Sequence, residues 1–486
     1  MVHSSYEPIA VNPIKFGTDG WRGIIAADFT FDRVALVAPV AAQVLAKVYG
    51  ETAENRRIIV GYDRRFLAET FARKAAEAVR AAGFDVLLSE CYAPTPAFSW
   101  AAKQLNALGA LVMTASHNPG SYLGLKVKSA FGGSVPPEVT QQIEALLTSE
   151  LPSATTPGSL EMFNPWPSYC EGLRAKVDID GIRDAIAQNK ITVFADVMHG
   201  AAAGGLGQLL GLPIQEINSD RDPLFGGGAP EPLARYLSQM FRLMRTHRRN
   251  DKSGLSIGFV FDGDSDRIAA VDGQGNFLSS QILIPILLEH LATRRGLSGE
   301  VVKTVSGSDL IPRVASLYQL PVFETAVGYK YIADRMLEAQ VLLGGEESGG
   351  IGYGTHIPER DALLSALYLL EAVVQSGMDL SDIYHRLQSQ TNFFSAYDRI
   401  DLPLASMDVR SRLLEQLKNR PLTEIAGQNV VDCNTIDGYK FRLADRSWLM
   451  IRFSGTEPVL RLYSEAANLE EVHKRLDWSK NWANSV

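Results

Sequence analysis

Short, almost wholly apolar runs recur along this chain, and each breaks into a polar loop. Arg57-Ile-Ile-Val-Gly61, Asp85-Val-Leu-Leu-Ser89 and Ala107 to Met113 are three of them, with an alanine-rich helical stretch from Thr70 to Ala82 between the first two. Such alternation of strand-like and helix-like segments predicts βαβ units and a mostly parallel sheet. The pattern then repeats. Ile191 to Asp196 and Leu255 to Phe261 read as strands, and Ala201 to Leu210 as a helix that Gly211 can end. A third block opens with a helix from about Ser279 to Arg295. It continues through the strands Glu300–Val305, Pro321–Thr325 and Val341–Gly344 to a helix from Arg360 to Ser376.

The tail has a different character. A helix at Ser381–Gln390 leads into mixed structure. The strands Trp448–Arg452 and Val459–Tyr463 flank a turn, and a helix at Leu469–Leu476 closes the chain. Leu151-Pro-Ser-Ala-Thr-Thr-Pro-Gly158 has linker composition. At about 100–200 residues per domain, 486 residues predict three or four domains. The three α/β blocks are similar in size, yet no sequence repeat or solenoid period is present.

Composition excludes several classes. With 46% hydrophobic and 21% charged residues the chain can build several cores. A net charge of −8 disfavours nucleic acid as the main partner. Cys91, Cys170 and Cys433 are widely spaced, which gives neither a disulfide framework nor a zinc motif. Cys91 and Cys433 read as small, inert core residues. No run approaches the ~20 apolar residues of a membrane span. The N-terminus lacks the basic-then-apolar pattern of a signal peptide. A soluble, cytoplasmic protein is the expectation.

Four loops carry chemistry. The first, Thr114-Ala-Ser-His-Asn-Pro119, follows the strand ending at Met113. A serine at the carboxyl end of an α/β strand can be a nucleophile or phosphate carrier, given a base and cations. His117 and Lys126 supply both. The plain alternative is a β–α turn in which Ser116 caps a helix.

The second loop, Asp262-Gly-Asp-Ser-Asp-Arg267, follows the strand ending at Phe261. Asp262, Asp264 and Asp266 can converge on a hard cation such as Mg²⁺, with Gly263 allowing a tight path. Three carboxylates this close repel one another unless a cation or Arg267 offsets them. An EF-hand is excluded, because Arg267 stands where its glycine belongs and Gly273 where its last glutamate belongs.

The third loop, Gly344-Gly-Glu-Glu-Ser-Gly-Gly350, offers Glu346 and Ser348 to sugar hydroxyls, or is simply a glycine-rich turn. The fourth, Arg452-Phe-Ser-Gly-Thr-Glu-Pro458, lies between two strands. It is either a phosphate nest or a hairpin turn. His199 beside Gly200 reads as a satisfied structural histidine.

These loops, in this order, resemble the α-D-phosphohexomutase superfamily, the phosphoglucomutases and phosphomannomutases. The likeness extends to Phe16-Gly-Thr-Asp-Gly-Trp-Arg-Gly23, Gly61-Tyr-Asp-Arg-Arg65 and Thr325-Ala-Val-Gly-Tyr-Lys330, and covers nearly the whole chain. It implies an α/β protein of four domains around a central cleft. Three would be similar α/β domains with mixed sheets and the fourth a C-terminal α+β domain, divided as 1–155, 156–276, 277–394 and 395–486.

It also implies roles. Ser116 would be the phosphoserine, sharing one Mg²⁺ with Asp262, Asp264 and Asp266. Arg267 would contact the phosphoryl group. Glu346 and Ser348 would bind sugar hydroxyls, and Arg452, Ser454, Gly455 and Thr456 the non-reacting phosphate. Arg22, His117, Lys126 and Lys330 would line the cleft, with Lys126 and His117 as acid/base assistants. The implied ligands are hexose monophosphates, with a hexose 1,6-bisphosphate as intermediate and activator, and no nucleic acid or membrane partner. A monomer or homodimer is expected.

One departure is Leu123, where the family usually carries an asparagine between Tyr122 and Gly124. The Glu346-Glu347-Ser348 form of the sugar loop points to glucose phosphates, with mannose phosphates as possible second substrates, rather than glucosamine phosphates. The leading reading is phosphoglucomutase. A hexose 1,6-bisphosphate synthase charged by another bisphosphate would use the same residues. A silent sugar-phosphate-binding protein would have no use for the metal loop. A phosphatase with an aspartate nucleophile would leave Ser116 unexplained.

Overall fold

The apolar runs become the inner strands of four sheets. The computed structural model describes residues 13–17, 19–51, 55–147, 156–251, 253–454 and 458–485. The first sheet has seven strands in the order Phe16–Gly17, Gly20–Ile24, Tyr122–Lys128, Gly109–Met113, Arg57–Tyr62, Asp85–Ser89, Leu160–Phe163. Its middle pairs Arg57–Tyr62 in parallel with both neighbours, whereas Gly109–Met113 meets Tyr122–Lys128 antiparallel. Ile58, Ile59 and Val60 are wholly buried, as expected of strands covered by helices on both faces. The linker-like stretch falls partly outside the described residues. Just past it, Leu160–Phe163 adds the sheet's last strand, parallel to Asp85–Ser89.

The second sheet has five strands, with Leu255–Phe261 between Ile268–Val271 and Ile191–Asp196. The third has four, with Glu300–Thr304 and Val341–Gly345 at its centre. Both mix parallel and antiparallel pairs. The fourth sheet is antiparallel throughout, running Ala396–Pro403, Val459–Ala466, Trp448–Phe453, Tyr439–Leu443, Gln428–Asn434, Glu424–Ile425. Three mixed α/β units and an α+β unit are therefore present.

Helix boundaries depart from the sequence reading where local caps decide. The helix expected from Ala201 begins at Gly205, after turns that end in Gly204 at φ +74°. Gly211 does end it, at φ +63°. The helix expected from Arg360 begins at Ala362, because Asp361 is its N-cap and accepts from the Leu364 N–H. The closing helix runs on to Asn484.

One apolar cluster runs through the first three units, from Ile59 and Val112 through Phe259 and Phe261 to Leu343 and Leu367. The fourth unit has a core of its own around Leu449, Ile451 and Leu462. Cys433 is exposed rather than a core residue, because its strand lies near the solvent-facing edge of that sheet. Cys91 is half-buried. Among the described residues no single helix is long and apolar enough to cross a membrane.

Candidate active site

Ser116 lies in the turn between the antiparallel strands Gly109–Met113 and Tyr122–Lys128, so it caps no helix. It is buried, with φ at +52°, a left-handed conformation that costs a non-glycine residue energy unless its surroundings enforce it. Arg65 does the enforcing. Its guanidinium donates to the backbone oxygens of Ser116 and Asn118 at 2.6 Å, Pro119 at 3.0 Å and Tyr122 at 3.1 Å. Asp63 sits beside it, Nε to Oδ2 3.4 Å, and accepts its backbone N–H. Burial raises the Asp63 carboxyl to about 6, with Arg65 pulling the other way. Thr114 Oγ1 accepts the Ser116 N–H at 2.9 Å.

The aspartate loop turns back on itself between Leu255–Phe261 and Ile268–Val271. Asp262 Oδ1 shapes it by accepting the N–H groups of Asp266 and Arg267. Its other oxygen, Oδ2, accepts from Ser116 Oγ at 3.1 Å. Gly263 makes this approach possible: a Cβ there would stand 2.4 Å from the Ser116 carbonyl oxygen. Gly263→Ala is therefore expected to force the two loops apart. It should cost about 1–3 kcal/mol and about 100-fold in turnover, read by urea unfolding and steady-state kinetics. Unchanged turnover would show that the contact is dispensable.

Lys126, buried, binds three carboxylates: Asp19 at 2.8 Å, Asp264 at 2.7 Å and Asp266 at 2.8 Å. Burial alone would lower its pKa, but these anions outweigh it and hold the ammonium above its usual range. Thr95 donates to Asp264 Oδ2 at 2.6 Å from the start of the helix Thr95–Gln104. Asp264 is held low despite burial, chiefly by Lys126. Asp262 is pushed well up by burial and by Asp266 and Asp264.

The donor set fits a cation. The three aspartates offer oxygens within 4.8 Å of one another, and Asp264 Oδ1 and Asp266 Oδ1 are buried without a hydrogen bond.

His117 Nδ1 is 3.4 Å from Ser116 Oγ. Arg267 above all, then burial and Arg22, hold its pKa well below the usual value, so the imidazole is neutral at pH 7. Arg22 donates to Asn118 Oδ1 at 2.6 Å. Arg267 Nε stands 3.9 Å from Asp266.

The sugar loop is stitched to the aspartate loop by its backbone, since Ile268 N–H donates to the Gly349 carbonyl. Glu346 is buried and faces Arg360 at 3.4 Å. Glu347 turns elsewhere, accepting from Ser306 Oγ at 2.7 Å and lying 3.9 Å from Arg399 on the first strand of the fourth unit.

Other residues read from the sequence lie apart from this cluster. Lys330 begins the helix Tyr329–Glu338 and stands over the Tyr331 ring. Arg452 pairs with Asp437 at 2.8 Å. Ser454 donates its N–H to the Val459 carbonyl, and Arg410 donates to the Ser454 carbonyl. Gly455 and Thr456 lie outside the described residues.

Leu123 is wholly buried in the core of the first unit, one position along from Gly124 and so on the opposite face from Lys126. His199 Nδ1 meets the Asp220 carbonyl, a structural contact. Asp19, Arg65, Thr95, Arg360 and Arg410 were missed by the sequence reading. For Asp19 and Arg65 a signal existed, since both fall in the segments 16–23 and 61–65 that carry the family likeness.

A serine turn and three converging carboxylates beyond the carboxyl ends of α/β strands, with an imidazole and a buried ammonium beside them, are the groups that phosphoryl transfer needs. Comparison with known proteins narrows the class. The four units match, in order, the phosphoglucomutase/phosphomannomutase α/β/α domains I (residues 13–153), II (167–275) and III (279–390) and the C-terminal domain (409–477). A phosphoglucosamine mutase of Thermotoga sp. (strain RQ2) is 30% identical over 94% of this chain and 97% of its own. A phosphoglucomutase/phosphomannomutase of Thermococcus kodakarensis is 28% identical over 95% and 96%. A Thermus thermophilus structure described as a phosphomannomutase superposes with a TM-score of 0.83 at 32% identity, covering 98% and 100%. The chain belongs to the phosphoglucomutase/phosphomannomutase family of the α-D-phosphohexomutase superfamily. It is a phosphohexomutase, an intramolecular phosphotransferase.

Proposed function

We propose that the protein interconverts glucose 1-phosphate and glucose 6-phosphate through phosphorylated Ser116 and a glucose 1,6-bisphosphate intermediate. The observation that carries this is the buried meeting of Ser116 Oγ with Asp262 Oδ2, beside Lys126 and the other two aspartates. Asp262, Asp264, Asp266 and phosphorylated Ser116 would hold Mg²⁺, which would supply charge neutralisation for the transferring group.

In the first half-reaction the P–Oγ bond of Ser116 breaks as a P–O bond to the sugar forms. The proton of the sugar hydroxyl passes by way of His117 to Ser116 Oγ as that oxygen leaves phosphorus. In the second half, the other phosphate of the bisphosphate returns to Ser116: its P–O bond to the sugar breaks as the P–Oγ bond forms, and the serine proton passes by way of His117 to the sugar oxygen that leaves. His117, neutral and near Ser116 Oγ, relays these protons, while Lys126, held protonated, is a fixed counter-charge to the transferring group. Glu346 and Ser348 bind sugar hydroxyls. Arg452, Ser454, Gly455 and Thr456 hold the phosphate that does not react, with Lys330 and Arg22 lining its approach. The domain limits 155, 276 and 394 belong to the same reading.

A second substrate reading is glucosamine phosphate, favoured by the phosphoglucosamine mutase relatives. Glu347, the residue taken to exclude it, points to Ser306 and Arg399 rather than towards Glu346 and Arg360.

A ³¹P NMR time course tests both. The protein with Mg²⁺ receives fructose 1,6-bisphosphate and glucose, mannose or glucosamine 1-phosphate. Conversion of glucose 1-phosphate to the 6-phosphate, with the 1,6-bisphosphate at trace level and loss of turnover on chelation, is the expected result. Accumulation of glucose 1,6-bisphosphate would make the enzyme a synthase. Faster conversion of the glucosamine ester would replace the proposed substrate.

A further inference from the structure

The segment His356–Asp361 wedges between the first and third units, and nearly every residue in it is pinned. His356 stacks on Trp100, with ring centroids 5.2 Å apart, and its Nε2 lies 3.0 Å from Asp361 Oδ2. Ile357 and Pro358 press on Gly132 and Gly133 so closely that a Cβ at either glycine would stand about 3 Å from them. Glu359 pairs with Lys128 of the first sheet at 2.5 Å. Asp361 accepts from Tyr169 Oη at 2.8 Å while capping its helix. The residue left between these anchors is Arg360.

Arg360 is therefore presented from a rigid backbone. Its NH2 donates to Asp266 Oδ2 at 2.6 Å and to Asp19 Oδ2 at 2.7 Å. Its NH1 reaches Glu346 Oε1 at 3.4 Å. Its Nε is buried and makes no hydrogen bond. One planar guanidinium thus touches the N-terminal loop, the aspartate loop and the sugar loop at once. A lysine ammonium, a point charge, has no such fork.

We propose that Arg360 is a positioning residue which couples the sugar loop to the aspartate loop, fixing Asp266 and Glu346 relative to each other while opposing premature tight binding of a divalent cation at Asp266. The inference rests on the phosphoryl-transfer reading of this cleft, and it concerns a residue that makes none of the bonds in that reaction. A positive charge bonded to Asp266 lowers the affinity of the neighbouring oxygens for a second cation by Coulomb repulsion. The same bond holds the carboxylate in one orientation for turnover.

The test uses full-length Arg360→Gln and Arg360→Lys. Mg²⁺ affinity of the resting protein is read by titration calorimetry, and kcat and KM with hexose 1-phosphate. In Arg360→Gln, Mg²⁺ is expected to bind at least about threefold tighter, while kcat falls about 100-fold and KM rises. Arg360→Lys should return Mg²⁺ affinity to the wild-type value, because the charge is back, yet leave kcat low. A merely structural arginine would give weaker Mg²⁺ binding in the glutamine variant. That result, unchanged Mg²⁺ affinity, or a lysine variant with wild-type kcat overturns the proposal. If wild-type protein turns over none of the hexose phosphates, the functional reading fails, and the Mg²⁺ comparison still decides the role of Arg360.

Discussion

An Arg65→Met protein is expected to lose about 3–5 kcal/mol of stability and at least about 100-fold in kcat, although Arg65 touches no reacting atom. Four backbone oxygens of the serine turn share its guanidinium. Without it, buried acceptors are left unpaired and Asp63 loses its partner. The strained φ of Ser116 then has nothing to enforce it. Arg65→Lys separates the two effects: it restores a charge beside Asp63, and so part of the stability, but cannot reach four oxygens at once. Urea unfolding and single-turnover phosphoryl transfer measure them independently. A methionine variant with kcat within about twofold of wild type would mean that the turn holds its own shape.

Lys126→Met carries the second large effect. Removing this ammonium leaves Asp19, Asp264 and Asp266 buried with Arg360 as the cation still bonded to two of them. Breaking a buried ion pair from one side costs about 3–5 kcal/mol, and turnover should fall below detection. The loss should depend on pH in a definite direction. Asp264 and Asp19 have lowered pKa values in the wild type, against burial, largely because of Lys126. Their contribution to stability is present above the unfolded carboxylate pKa of about 4 and is lost progressively as pH falls from there through their lowered folded values. In the variant burial dominates, these carboxyls titrate higher, and protonation stabilises them. The gap between the proteins is therefore expected to be widest near neutrality and to narrow in acid. Parallel denaturation at pH 7 and pH 4 measures it, and a gap that widens in acid would reject this account.

What could be read from the sequence, and what could not, follows from distance along the chain. Strand positions were legible because doubly covered strands need unbroken apolar runs, as Ile58 to Val60 show. The serine, aspartate and sugar loops were legible because α/β strands deliver polar residues at their carboxyl ends. Arg360 was not. Its sequence context reads as the start of a helix, and the cap at Asp361 leaves it outside that helix, bonded to Asp266, Asp19 and Glu346. Asp19 and Arg360 stand 341 residues apart, so no local pattern records their contact. Arg65 was visible as a charged residue after a strand, but its four acceptors are backbone oxygens, which leave no signature in residue identity. Leu123 stands out in the sequence because it replaces the asparagine usual in the family, but the alternation of the strand puts it in the core, on the opposite face from Lys126.

That 341-residue separation also sets an order of events during synthesis. At about 5–20 residues per second, the first sheet is complete some tens of seconds before Glu359 and Arg360 leave the ribosome. In that interval the carboxylate that their own unit offers to both Lys126 and Lys128 is Asp19, at 2.8 Å and 3.2 Å. Asp19 is thus a placeholder: it keeps two buried ammonium groups from being stranded in a nascent core. It is expected to make ribosome-bound chains that expose the whole first sheet protease-resistant in a way that an Asp19→Asn chain of the same length is not.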